Sequence, residues 1–157
     1  MKMKKKSQKF IMLCKKYGVN PENVREVLSV KQAFKVRDID ILKMPGLSKI
    51  PKRFRLWLEW LYKMAVVAEA FNTDENGKLW IPNYNDPNEY KYEIWWNVKA
   101  DPKHTSGSGL SYYDYDCWAT NSRSAVPARL CFLNRDTAIF VGKHFAKEFK
   151  YVQLHFE

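Results

Sequence analysis

The run Tyr90-Lys91-Tyr92-Glu93-Ile94-Trp95-Trp96-Asn97-Val98-Lys99 decides the fold class. Apolar and polar residues alternate along it, the spacing that sends successive side chains to opposite faces of a strand. Tyr90, Tyr92, Ile94, Trp96 and Val98 fall on one side; Lys91, Glu93, Trp95, Asn97 and Lys99 fall on the other. Residues 90–98 are therefore expected as a half-buried strand, with Trp95 out of place on its polar side. Before this run the period is helical. Over residues 48–72, Leu58, Leu61, Tyr62, Ala65, Ala68 and Phe71 make one stripe, and Val66, Val67 and Ala70 add a second apolar side. A long helix is expected there, buried most of the way round in its C-terminal half, with Pro51 tolerated in its first turn. Asn76-Gly77 is the turn signal at which the period changes.

Working outward, residues 110–118 and 128–133 read as further strands, separated from the first by a Ser/Gly-rich loop over 103–109. Asn134 is placed to cap a helix over residues 135–151, with Ala138, Val141, Gly142, Phe145 and Phe149 on its buried face. Glycine costs a helix interior about 1 kcal/mol relative to alanine, so Gly142 points to close packing against the sheet. Near the start, Ser7 caps a helix that reaches Tyr17 and stops at Gly18, with Phe10, Leu13, Cys14 and Tyr17 on one face. Asn20-Pro21-Glu22 starts a second helix with Val24, Val27 and Leu28 as its apolar side, and residues 31–45 form a connector with room for a short helix. The expected architecture is α+β. A small antiparallel sheet of about three strands is packed by the long helix and the C-terminal helix, with a basic helical N-terminal region. The 157 residues fit one domain, divided into a basic helical head over 1–47 and an α+β core over 48–157.

Charge is distributed unevenly. Residues 1–64 hold 17 Lys and Arg against 5 Asp and Glu, or +12; residues 65–116 hold 4 against 9, or −5; the remainder is +3, giving the net +10. Blocks of like charge mark interaction surfaces, here for a polyanion or an acidic partner. Candidate contacts are Lys4, Lys5, Lys6, Lys9, Lys15 and Lys16, with a second cluster at Lys49, Lys52, Arg53 and Arg55. The second cluster sits near a helix N-terminus, where the macrodipole disfavours cations by a few tenths of a kcal/mol each; an anionic partner would account for the placement. The same letters also describe a solvated surface with a lysine tail. Aromatic residues make up 15% of the chain, more than a small core needs, so some rings are expected at an interface. Trp95, Tyr113 and Tyr115 are the ones the alternation puts off the core face. They could stack bases, but Glu89, Glu93, Asp114 and Asp116 nearby would repel phosphates, and a protein interface fits better.

Motifs for chemistry are sparse. Cys14, Cys117 and Cys131 match no zinc or redox spacing and are expected as buried, reduced thiols. No apolar run approaches the ~20 residues of a membrane helix, so an intracellular protein without a cleaved leader and without membrane contact is expected. Residues 41–48 partly match a helix-hairpin-helix, but Ser48 stands where the second glycine belongs, and a Pro-Gly turn explains the stretch. Residues 72–77 partly match a calcium loop, but Asn72 and Asn83 hold the first and twelfth positions and Pro82 blocks the exiting helix. Asp114 and Asp116 could hold magnesium with Glu93, although paired acids on a strand are ordinarily solvated. His104, His144 and His155 show no metal spacing and no nucleophile partner, and are expected at the surface or in loops. No catalytic residue, metal or cofactor is assigned.

One set of segments resembles a family of small proteins of tailed bacteriophages of gut bacteria, including crAss-like phages. It comprises Ala68-Glu69-Ala70-Phe71-Asn72, Trp80-Ile81-Pro82-Asn83 with Asp86, and Glu89-Tyr90-Lys91-Tyr92 with Trp95 and Trp96. It continues at Arg129-Leu130-Cys131-Phe132, Ala138, Gly142-Lys143 and Phe145. The likeness covers residues 65–150, about half the chain, and leaves out the basic head. Where the family carries a glycine-rich stretch with aromatics, this chain has Ser106-Gly107-Ser108-Gly109 followed by Tyr112-Tyr113. The resemblance implies a phage origin and a non-enzymatic role in the virion or its assembly, in the host cytoplasm or the particle. The leading expectation is an accessory protein that binds a capsid or other virion protein, its basic head facing DNA or an acidic surface. A free nucleic-acid-binding protein of phage replication or host takeover is the alternative, and a nuclease using Asp114 and Asp116 the third. The sequence leaves the oligomeric state open.

Overall fold

A computed structural model of the chain describes residues 5–43, 46–100, 108–118 and 130–154. The architecture is α+β. In chain order it runs α1 (Gln8–Tyr17), a 3-10 turn (Pro21–Asn23), α2 (Val30–Val36), a second 3-10 turn (Ile41–Lys43), α3 (Lys52–Phe71), β1 (Lys91–Ala100), β2 (Ser108–Trp118), α4 (Arg135–His144) and α5 (Ala146–Gln153).

Local chemistry sets the boundaries of α1. The Ser7 hydroxyl accepts from the Phe10 amide, and Gly18 ends the helix at φ 72°, a left-handed conformation that glycine adopts without a Cβ clash. The segment after Pro21 departs from expectation. Asn20 caps it, but only a single 3-10 turn forms before Val24 becomes extended. Val24 and Val27 are buried all the same, from non-helical backbone rather than a helix face. The connector holds α2, capped by the Ser29 side chain. The long helix begins later than its apolar period implies. Pro51 is its N-cap, not a first-turn residue, and residues 48–50 make a turn ahead of it. Its C-terminal half is buried as expected, at Met64, Val66, Val67, Ala68, Ala70 and Phe71.

β1 and β2 form an antiparallel pair in which Lys91 lies opposite Trp118 and Trp95 opposite Asp114. The register slips between Trp95 and Trp96, because Trp96 lies opposite Tyr112 and Tyr113 is the extra residue of a bulge. The third strand expected over 128–133 falls partly on residues outside the described set. Of its described part, one bridge remains, Phe132 to Tyr92. Asn134 caps α4 as expected, its side chain accepting from Thr137. The single C-terminal helix divides at Phe145 into α4 and α5. The break brings Phe149 onto Trp96 (ring centroids 4.9 Å apart) and the Val152 carbonyl to the Trp57 indole N–H (3.1 Å). Gly142 is where α4 meets the sheet: a Cβ there would stand 2.4 Å from Tyr112 Cδ2 and 3.0 Å from Ile94 Cγ2.

One apolar cluster joins the basic head to the rest. Phe10, Cys14, Val24, Val27 and Ala33 share it with Met64, Phe71, Ile94, Phe132, Phe140 and Phe149. Phe140 is its centre, in ring contact with Phe10, Tyr17 and Phe71. No described helix is long and apolar enough to cross a membrane.

Candidate binding surfaces

The basic residues divide into those that hold the fold together and those left to solvent. Lys6 belongs to the first group. Its ammonium donates to the carbonyls of Pro21 and Val24 and lies 3.9 Å from Glu22, pinning the start of α1 to the 3-10 turn. Arg55 does the same for α3: Nε donates to the Ile50 carbonyl at 2.7 Å and Nη2 to the Ser48 carbonyl at 2.8 Å. Both are among the candidate partner contacts of the sequence; in the fold both donate to backbone carbonyls, Lys6 half-buried and Arg55 still exposed. Two further arginines cross-link the head to the acidic segment. Arg25 donates to the carbonyls of Thr73 and Asp74, and Arg37 pairs with Glu69 at 3.3 Å.

Lys5, Lys9, Lys15, Lys16, Lys49, Lys52 and Arg53 are exposed. Among the described residues none of the seven is paired with a carboxylate, and Lys4 lies outside that set. Lys15 and Lys16 stand in the last turn of α1, where the helix dipole favours cations. Met12, at 70% exposure, and Ile11 lie on the same open side of the helix. On α3 the placement is unfavourable: no side chain caps the helix, and no acid stands in its first turn. The Arg53 guanidinium lies 4.7 Å from the Phe54 ring centroid, and Phe54 and Leu56 are themselves exposed. The two clusters rest on different supports. α1 packs on α4 and the first 3-10 turn, while α3 packs on α2 and α5.

The aromatic candidates separate as well. Trp95 and Tyr113 are open to solvent, at 49% and 64% exposure. Tyr115 is not an outward ring. The bulge at Tyr113 reverses the alternation, so Tyr112 and Tyr115 both face the helices. Tyr115 packs against Tyr92 (5.9 Å), and its hydroxyl accepts from Arg135 Nε at 2.8 Å. Tyr112 is pushed up to about 12 by burial.

The polar side of β1 is not solvated as the alternation implies. Lys91 is fully buried and Glu93 nearly so. Residues 80–90 fold over them. Lys91 Nζ donates to the carbonyls of Asn83 (2.7 Å), Glu89 (2.7 Å) and Asp86 (3.4 Å), and lies 3.3 Å from the Glu89 carboxylate. That carboxylate also accepts from the Trp80 indole and the Asn83 amide, at 3.1 and 2.6 Å. Beneath this cover, burial first and the nearby Glu93 carboxylate second push the Cys131 thiol up to about 12. Burial raises Cys14 too. Both thiols are therefore held protonated at neutral pH, unsuited to nucleophilic attack. Cys117 is exposed, contrary to the expectation of three buried thiols.

The metal constellation does not assemble. Glu93 is buried whereas Asp114 and Asp116 are exposed, and no group of three or more His, Cys, Asp or Glu suited to a metal forms among the described residues. The calcium-like stretch has other work. The buried Asn72 amide donates to the Cys131 carbonyl (2.8 Å) and accepts from the Leu133 amide (3.1 Å), tying the end of α3 to the 131–133 segment. Asp74 Oδ1 closes the turn by accepting from Asn76 and Lys78. His144 was expected at the surface, yet it lies half-buried against Phe140 and Phe145, with Nε2 at 3.1 Å from the Leu28 carbonyl.

Among the described residues these features define an α+β protein with a cationic surface, not paired with carboxylates, on one helix and one helix end, and two open aromatic rings on a two-stranded ribbon. Compared with known proteins, the chain matches no family model, no curated protein and no solved structure.

Proposed function

We propose that this chain acts by binding rather than by bond-making, as a bacteriophage accessory protein whose cationic surface engages DNA or an acidic protein face. One observation carries the reading: Lys5, Lys9, Lys15, Lys16, Lys49, Lys52 and Arg53 stay exposed, without a carboxylate partner among the described residues, in a chain whose middle segment is acidic. Two carboxylates of that segment are engaged elsewhere, Glu69 by Arg37 and Glu89 by Lys91. Unpaired surface cations give salt-sensitive, sequence-independent attraction to phosphates. The phage setting and a minor capsid or virion-associated role rest on the sequence resemblance, and docking through Trp95 and Tyr113 rests on their exposure.

Mass spectra of purified particles test the virion assignment: peptides of this chain at constant stoichiometry support it, and their absence ends it. The alternative of a free nucleic-acid-binding protein is favoured by the exposed Arg53–Phe54 pair, a cation beside an open ring. A mobility shift on single and double strands that weakens in Lys52→Glu/Arg53→Glu supports that alternative. An unchanged shift in the double variant removes it.

A further inference from the structure

Whatever the cationic surface binds, β2 leaves one side of the sheet without a pairing strand among the described residues. The hydrogen-bond pattern fixes which of its amides face that side. Tyr92 exchanges both backbone bonds with Phe132, at 3.0 and 2.8 Å, so the Tyr92 backbone points away from β2. The register is regular from Lys91 opposite Trp118 to Trp95 opposite Asp114. Direction alternates along an antiparallel pair. The backbones of Asp114 and Asp116 therefore turn inward to β1, and those of Tyr115 and Cys117 turn outward. Both outward amides are already engaged. Tyr115 N–H donates to Asp114 Oδ1 at 2.9 Å, and Cys117 N–H donates to Asp116 Oδ1 at 2.8 Å.

We infer that Asp114 and Asp116 close the β2 edge left open among the described residues against addition of another strand, the excluded strand being β2 of a second copy. An open edge is a template for pairing, and proteins block such edges with charges and bulges. A second β2 laid antiparallel along this one needs the Tyr115 and Cys117 amides as donors. The two carboxylates withhold them, and they would also confront the carboxylates of the incoming copy. The Tyr113 bulge bends the strand at the same place. Two acids that resemble metal ligands in the sequence thus act on their own backbone. The inference is independent of the proposed function, since it involves none of the lysines.

Two paired variants separate the caps from the charge. Asp114→Asn/Asp116→Asn keeps an acceptor oxygen and removes the charge; Asp114→Ala/Asp116→Ala removes both. Light scattering across concentration is expected to show self-association strengthened about tenfold or more, relative to the unaltered chain, in the alanine pair, and by clearly less in the asparagine pair. Amide hydrogen exchange needs no dimer: in the single variant Asp114→Ala, protection is expected to fall at Tyr115 and persist at Cys117. An alanine pair that matches the unaltered chain in both exchange and mass overturns the inference. So does an asparagine pair that associates as strongly as the alanine pair, because charge rather than capping would then guard the edge.

Discussion

An ammonium ion removed from water destabilises a fold unless its donors are met. Lys91 is met by three carbonyls and a carboxylate, and in return it shapes residues 83–89 around itself. Lys91→Met is therefore expected to lower unfolding free energy by about 3 kcal/mol, the range for breaking a buried pair, as measured by urea titration; a loss under about 0.5 kcal/mol, the scale of surface substitutions, would show that the cover does not depend on it. Tyr112 and Cys131 make a second residue-scale prediction. Unfolded, they lose protons near their ordinary values of 10.0 and 9.0; folded, each holds its proton to about 12. Both shifts are upward. The stability they confer is thus complete below the unfolded values and is lost as pH rises toward 12. The urea midpoint should fall between about pH 8 and pH 11, and fall less in Tyr112→Phe. None of this was legible in the letters. Alternation assigns Lys91 to water because it reads one strand at a time, and the cover comes from a loop with no period of its own. The one hint was Trp95, a large ring on a side that should have been polar throughout.

At the scale of elements, α3 carries the clearest conflict between stability and use. Its first turn has cations, no acid and no side-chain cap. Lys52→Glu/Arg53→Glu should remove an unfavourable dipole contact and stabilise the chain by a few tenths of a kcal/mol per site, while weakening polyanion binding. Thermal melts and binding read the two effects separately, and a variant that loses stability as well as binding would mean that these side chains serve the fold. The elements themselves were mostly legible. Ser7, Gly18 and Asn134 stand where caps were expected, and Gly142 marks the close approach of α4 to the sheet. The failures are local. A proline behind a capping asparagine yields one 3-10 turn, and Val24 and Val27 reach the core from non-helical backbone. A one-residue bulge reverses the facing of Tyr115, and no periodicity argument detects an inserted residue from one strand alone.

For the whole molecule, the charge asymmetry survives folding in reduced form. Lys6, Arg25, Arg37 and Arg55 are drawn into clamps, while the lysines of α1 and the start of α3 remain at the surface. The sequence shows the excess of cations but not which ones bind backbone carbonyls, since that depends on chain reversals 5 to 49 residues away. The most direct test is binding of a fluorescently labelled single strand, followed by anisotropy over a series of salt concentrations. Log affinity is expected to fall linearly with log salt, Lys15→Glu/Lys16→Glu and Lys52→Glu/Arg53→Glu each to flatten the slope, and the two pairs together to abolish binding. No binding at low salt, or an affinity indifferent to salt and to all four substitutions, would contradict that expectation.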